Sequence, residues 1–332
     1  MENYSKEIKL SDDAYHFRYY EKNIHRFWYT EWWYFNFIDP DSGMSGETTI
    51  ALFNPSNHYM PGVGSVNFAA FGKGLKEGII DIDYIPLTEF SASYENANLR
   101  MGNNIIEVIS EREYRICTKS NSGDFALDLI YESKSPAAFL AKDIQGDNPN
   151  WEISSWLAYM PAASIKGYFE FNGKKYNLSN AIGYHDHDWG IWPVYSRTWS
   201  WAYFYLPNEQ VVFDLGIHAA FEVSVCYFTY KNQQIEFNQK DLIFNELDFK
   251  EWNFLWKYPQ KLKLDAVDKT GKYRLSLEWD VLQTAALWKY PLIVFEQSAF
   301  FQGSLLEYKD NQWKSILEIF SEGFCEATGK YI

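Results

Sequence analysis

Lys166-Gly-Tyr-Phe-Glu-Phe-Asn172-Gly173-Lys-Lys-Tyr-Asn-Leu178 is the stretch on which the fold turns. Two short runs of alternating aromatic and polar residues flank Asn-Gly, the dipeptide that supplies the positive φ angles of a tight two-residue hairpin turn. Similar alternating runs, rich in Tyr, Phe, Trp, Val and Ile, cover 31–38, 48–53, 65–72, 104–110, 113–118, 124–131, 201–206, 210–217, 222–230, 274–281, 292–299 and 315–321. A period of two is the mark of half-buried antiparallel strands, and helical periodicity is scarce. The chain reads as all-β, a sandwich or a barrel.

Length and an internal echo suggest two such units. The chain has 332 residues, more than one small module needs. Glu31-Trp32-Trp33-Tyr34-Phe35 resembles Ser200-Trp201-Ala202-Tyr203-Phe204, each opening a strand-rich stretch of comparable length. Turn residues near 190–197, around Pro193, place the expected boundary so that 1–192 and 193–332 form the two domains.

Composition narrows the function classes. Thirty Lys plus Arg against 44 Asp plus Glu give a net charge of −14, which repels phosphate backbones, so no nucleic acid partner is expected. The N-terminus lacks the basic n-region and apolar run of a signal peptide, which makes the cytoplasm the default location. The longest stretch free of Asp, Glu, Lys and Arg, Thr48 to Gly72, contains Pro55 and Pro61, so no membrane span is expected. Cys117, Cys226 and Cys325 are odd in number and far apart, and read as reduced thiols. Aromatic residues make up 19% of the chain, enough to line a large apolar cavity. Oligomeric state is left open.

The densest polar cluster is Gly183-Tyr184-His185-Asp186-His187-Asp188-Trp189-Gly190. Extended, it projects Tyr184, Asp186 and Asp188 to one side and His185, His187 and Trp189 to the other. A His bonded to a carboxylate has a fixed tautomer and a raised pKa, so His185 and His187, with Asp186, are candidate proton-transfer groups. The same residues could instead form a hydrogen-bonded structural turn at a barrel rim, and both readings stand. His-x-His on a strand also suits a metal, but no Glu lies between Trp189 and Asn208 and the next His is His218, so no metal is expected.

These motifs carry a resemblance. The tract Gly183–Gly190, Glu31-Trp32-Trp33-Tyr34-Phe35 before it and Gly323-Phe324-Cys325-Glu326-Ala327-Thr328-Gly329 after it are similar, in order, to the central, opening and closing motifs of the carotenoid 1,2-hydratase and AttH-like family. The resemblance implies two tandem lipocalin-like, calycin-like antiparallel β-barrels, acting without cofactors on hydrophobic polyene, isoprenoid or polyketide-derived molecules; hydratases and fungal Diels–Alder cyclases are similar to the family. In its hydratase branch the residues implied are His187, Trp189 and Asp214, the last set among apolar neighbours in 210–216. That pattern has a Tyr two places before the acid, where this chain has Val212. Tyr184, Trp33, Trp201 and Tyr203 are candidate cavity-lining aromatics, though core packing explains such stripes as well. Glu31, beside a Trp pair, is a candidate buried partner for the central tract. The expected function is a cyclase, hydratase or isomerase of an apolar unsaturated metabolite; the alternative is a lipocalin-like carrier that holds the same ligand unchanged.

Overall fold

The computed structural model describes residues 7–146, 152–192, 198–218, 223–231, 233–237, 239–289 and 292–331. Strands dominate, and the only helical pieces among the described residues are three-residue 3-10 turns. Asn172 and Gly173 have φ of 50° and 73°, and the hairpin they close is long: Ile153–Phe171 pairs with Lys174–Ile191. Each expected strand overlaps an observed one, and several observed strands run well beyond the expected ends; residue 222 of the expected 222–230 lies outside the described residues.

By its internal contacts the chain divides into two compact units, Met1–Lys73 with Ile80–Pro193, and Gly74–Ile79 with Val194–Ile332. The expected boundary at Pro193 lies outside the described residues. In the first unit the sheet runs Ile79–Ile85, Val63–Gly72, Met44–Phe53, Tyr29–Asp39, Lys174–Ile191, Ile153–Phe171, Phe125–Ser133, Glu113–Lys119, Asn104–Ser110, Leu99–Met101 and Phe90–Ala92, with Ala138–Gln145 on the edge of Ile153–Phe171. It curls into a nearly closed barrel: Gly64 of one arm abuts the thioether of Met101 on the other, where a Cβ would lie 2.4 Å from the Met101 Cε.

The second unit repeats this order. Its sheet runs Gln233–Glu236, Val223–Tyr230, Val211–His218, Trp199–Leu206, Gln312–Thr328, Leu292–Lys309, Tyr273–Lys289, Lys261–Val267 and Ile243–Leu247. In both, the strand that carries the echoed aromatic motif lies between the next strand in sequence and the last long strand of its unit. Alternation fills the second unit with Phe204, Phe213, Leu215, Trp279, Phe301 and Cys325. The interior of the first holds Trp33, Phe35, Phe37, Phe68, Phe125 and Leu129, all buried. Cys117, Cys226 and Cys325 are free thiols. No described helix is long and apolar enough to cross a membrane.

Candidate functional site

The tract 183–190 lies in the strand Lys174–Ile191, hydrogen-bonded along Tyr29–Asp39 in a register that sets His187 opposite Trp33, His185 opposite Phe35 and Asp186 opposite Tyr34. Directly paired residues share a face of the sheet, so His185, His187 and Trp33 point inward while Asp186 and Tyr34 point outward. Gly183 permits this close pairing, because a Cβ there would sit 2.0 Å from the Asn36 carbonyl oxygen.

Inside, the histidines meet carboxylates from elsewhere in the chain. The segment before Tyr29 folds as three short turns, Leu10–Asp12, Phe17–Tyr19 and Arg26–Trp28, that bury Tyr15, Phe17 and Tyr20 and carry Asp13 and His16 inward. Asp13 Oδ2 accepts the Tyr114 hydroxyl at 2.9 Å and lies 3.1 Å from His185 Nε2; Asp13 Oδ1 is 3.2 Å from His187 Nδ1. The His187 Nε2 reaches Glu31 Oε1 at 2.9 Å, an oxygen that also accepts the His16 backbone N–H at 2.9 Å. Glu31 Oε2 takes the Tyr29 hydroxyl at 2.6 Å, and His185 Nδ1 faces the Tyr34 carbonyl at 3.0 Å. Aromatic faces clamp the rings: His185 stacks on Phe35, His16 on Trp189 and His187 on Trp33.

The electrostatics follow from this geometry. Burial alone would raise the Asp13 pKa, but His185 and His187 outweigh it and hold the carboxyl down at about 2. Glu31 is lowered likewise, with His16 and His187 overcoming its desolvation. For His187 burial works downward, yet its bonds to Asp13 and Glu31 prevail and its pKa is raised. The His187 ring is fully buried, with Nε2 bonded to Glu31 Oε1 and Nδ1 3.2 Å from Asp13 Oδ1, and the two carboxylates favour its protonated form. His16, Glu31 and His187 each bring one ligand-type atom within 4.8 Å of the others, a spacing that a metal ion could bridge. Glu31 Oε1 of this group is already bonded to the His16 backbone N–H and to His187 Nε2, while the His16 ring Nδ1 lies 3.5 Å from it.

The outward face differs. Asp186 Oδ2 accepts the Trp156 indole N–H at 2.8 Å and the Tyr184 hydroxyl at 2.9 Å. Its Oδ1 is buried without a hydrogen-bond partner among the described residues. Burial pushes the carboxyl up to about 6, against the opposing pull of the Trp156 and Tyr184 donors. In the second unit, Asp214 is fully buried and accepts the Trp201 indole N–H at 2.9 Å; Tyr203 and Tyr227 are its paired neighbours. The Trp201 and Tyr203 rings are parallel at 6.1 Å.

The structure thus gathers His185, His187, Glu31, Trp33 and Trp189 in one buried network. It sets Asp186 and Tyr184 on the opposite face of the same strand, and Asp214, Trp201 and Tyr203 in a group within the second unit. Sequence reading missed Asp13, His16, Tyr29, Tyr114 and Trp156. His16 is one of only six histidines, and two acids and a His within residues 12–16 were the one available signal.

No protein-family model matches the chain, and no curated protein matches it either. Solved structures do. The crystal structure of an AttH candidate from Nitrosomonas europaea superposes with a TM-score of 0.70 at 14% identity, covering 99% of this chain and 98% of that one. The chain has the AttH-like tandem lipocalin fold. Kievitone hydratase from Nectria haematococca shares it at a TM-score of 0.63 and 15% identity, over 91% of this chain and 88% of that one. CghA with Sch210972 shares it at 0.58 and 10% identity, over 90% and 88%. Within this AttH-like fold the histidine tract occupies the last long strand of the first barrel, paired with that barrel's first sheet strand.

Proposed function

We propose that the protein is an enzyme of hydratase or cyclase type that transfers a proton to an unsaturated small molecule, with Asp186 as the general acid. The observation that carries this reading is the asymmetry of the Asp186 carboxyl: two donors on Oδ2, none on Oδ1, and a pKa raised to about 6 by burial. With Oδ2 occupied as an acceptor, the proton resides on Oδ1, the oxygen free to meet a substrate. When Oδ1 hands that proton to a double bond or an enol, the charge left on the carboxylate is met at Oδ2 by the Trp156 N–H and Tyr184 O–H. Water then captures the cation and returns one proton to the Asp186 carboxylate in a hydration, or an internal double bond captures it and the resulting ring cation loses a proton to the same carboxylate in a cyclisation.

The shared fold of kievitone hydratase and CghA supports an enzyme of this kind. His187 enters as a positioning residue, since its Nε2 is bonded to Glu31 and its Nδ1 lies beside Asp13; Asp214 is the second candidate acid, on the second unit. The test is turnover of a panel of unsaturated small molecules, read by mass spectrometry as gain of water or as an isomer of unchanged mass. Asp186→Asn is expected to lower kcat by about 10²–10⁴-fold. The wild-type rate should fall as pH rises through about 6, where the acid loses its proton. Wild-type turnover by Asp186→Asn would refute the assignment.

A further inference from the structure

The face that carries Asp186 holds more polar side chains than the barrel pairs. Cα partners run across four strands from Asp186 to Tyr34, Thr49 and Asn67. Three interstrand spacings of about 4.8 Å put the ends of this row roughly 14 Å apart, the length of a small organic molecule. Ser65 lies two residues from Asn67 on the same face, and Asn36 two residues from Tyr34. All three are buried, with exposures of 1% for Ser65, 3% for Asn67 and 0% for Asn36.

Both ends of the Asn67 amide, the Ser65 hydroxyl and the Asn36 side-chain oxygen have no hydrogen-bond partner among the described residues. Buried polar groups are paired in the great majority of cases, and an unpaired one costs about 1–3 kcal/mol. Several such atoms with Asp186 Oδ1, gathered on one face, mark a surface kept for a ligand that has its own donors and acceptors. Ala51, Ala69 and Ala158 lie among them, paired with Ser65, Glu47 and Asp186, and keep the floor of this surface low.

The chemistry of the face selects the ligand. A bare hydrocarbon here would leave these buried groups unpaired and offer nothing in return. A carboxylate or phosphate would meet Glu47, which shares the face and accepts the Tyr34 hydroxyl at 2.9 Å. We propose that this face binds a neutral, oxygenated small molecule, with hydroxyl, carbonyl or amide groups bonded to Asn67, Ser65 and Asn36. Its unsaturated part lies toward Asp186, and that clause alone rests on the reading of Asp186 as the acid.

The test has two arms. Without ligand, Asn67→Leu and, separately, Ser65→Ala should leave Tm unchanged or raise it by a few degrees, because each replaces a buried orphan with an apolar group. A drop of more than about 5 °C in both would show that the groups are bonded for structure, and would overturn the proposal. In the second arm, binding of farnesol, farnesal and α-farnesene is measured by tryptophan quenching. The alcohol or aldehyde should bind wild type at least about ten-fold tighter than the hydrocarbon, and Asn67→Leu should reduce that preference to within about two-fold. Equal binding of all three, no binding of either oxygenated probe, or a preference unchanged in Asn67→Leu would overturn it. Asp186→Asn should keep the preference while losing turnover; retained turnover there refutes the acid assignment and leaves the binding face standing.

Discussion

Asp13→Asn probes the buried network most directly. The carboxylate takes the Tyr114 hydroxyl and His185 on Oδ2 and lies beside His187 on Oδ1, and all these side chains are buried. Asparagine keeps the shape and one acceptor, but it removes the charge and turns an NH₂ toward an imidazole N–H. Leaving the partner of a buried ion pair uncompensated costs about 3–5 kcal/mol, and the two histidines share one carboxylate, so their losses do not add. At about 2–4 °C per kcal/mol for a unit of this size, Tm should drop by roughly 10 °C, measured by near-ultraviolet circular dichroism at pH 6. The pH dependence carries a second signature. A carboxyl depressed from 3.8 to about 2 contributes stability that is present above 3.8 and lost as pH falls toward 2. The raised His187 contributes stability present below 6.5 and lost as pH rises through its folded pKa. Both limbs should flatten in Asp13→Asn. A loss under about 1 kcal/mol with unchanged limbs would refute the reading of Asp13 as the keystone of the network.

Gly183→Ala should destabilise the first unit by about 3 kcal/mol in urea melts, because its Cβ would meet the Asn36 backbone oxygen at 2.0 Å; a neutral effect would mean the strands can part there. Treatment with a chelator should leave Tm unchanged, since the Glu31 carboxylate is already bonded to the His16 backbone N–H, the Tyr29 hydroxyl and His187 Nε2; a stoichiometric ion removed with loss of stability would show the group to be a metal site.

The strands were legible because alternation is a local property: Asn172-Gly173 and the aromatic periodicity report their own geometry. Alternation also sorted the central tract correctly, with Tyr184 bonded to Asp186 on one face and His185 and His187 sharing Asp13 on the other. What it could not supply were the partners. The carboxylates adjacent to His187 in sequence, Asp186 and Asp188, are the ones a strand directs away from it, so the ring is oriented instead by Asp13 and Glu31. Asp13 and His16 lie in a segment of short 3-10 turns with no period of its own, and its seat in the barrel is set by tertiary packing of Tyr15, Phe17 and Tyr20. Of the two upstream partners, Glu31 is marked by its place beside Trp32 and Trp33, whereas Asp13 carries no such mark.

One strand therefore bears two different chemistries on its two faces, and the difference decides which group can act on a substrate. His187 has a raised pKa and two carboxylate neighbours, so its proton is both harder to remove and already shared. Asp186 has the opposite character: a carboxyl raised to about 6, one oxygen fixed by two donors and the other without a partner among the described residues. A donor of pKa about 6 is a stronger acid than the raised imidazolium and still retains a protonated fraction near neutrality, which is the balance general acid catalysis requires. On the proposed reading of Asp186, the clasp inside contributes precision rather than protons. By pinning His185 and His187 from within, it holds the backbone between them, and with it the direction in which Asp186 Oδ1 points, on a rigid element of the barrel.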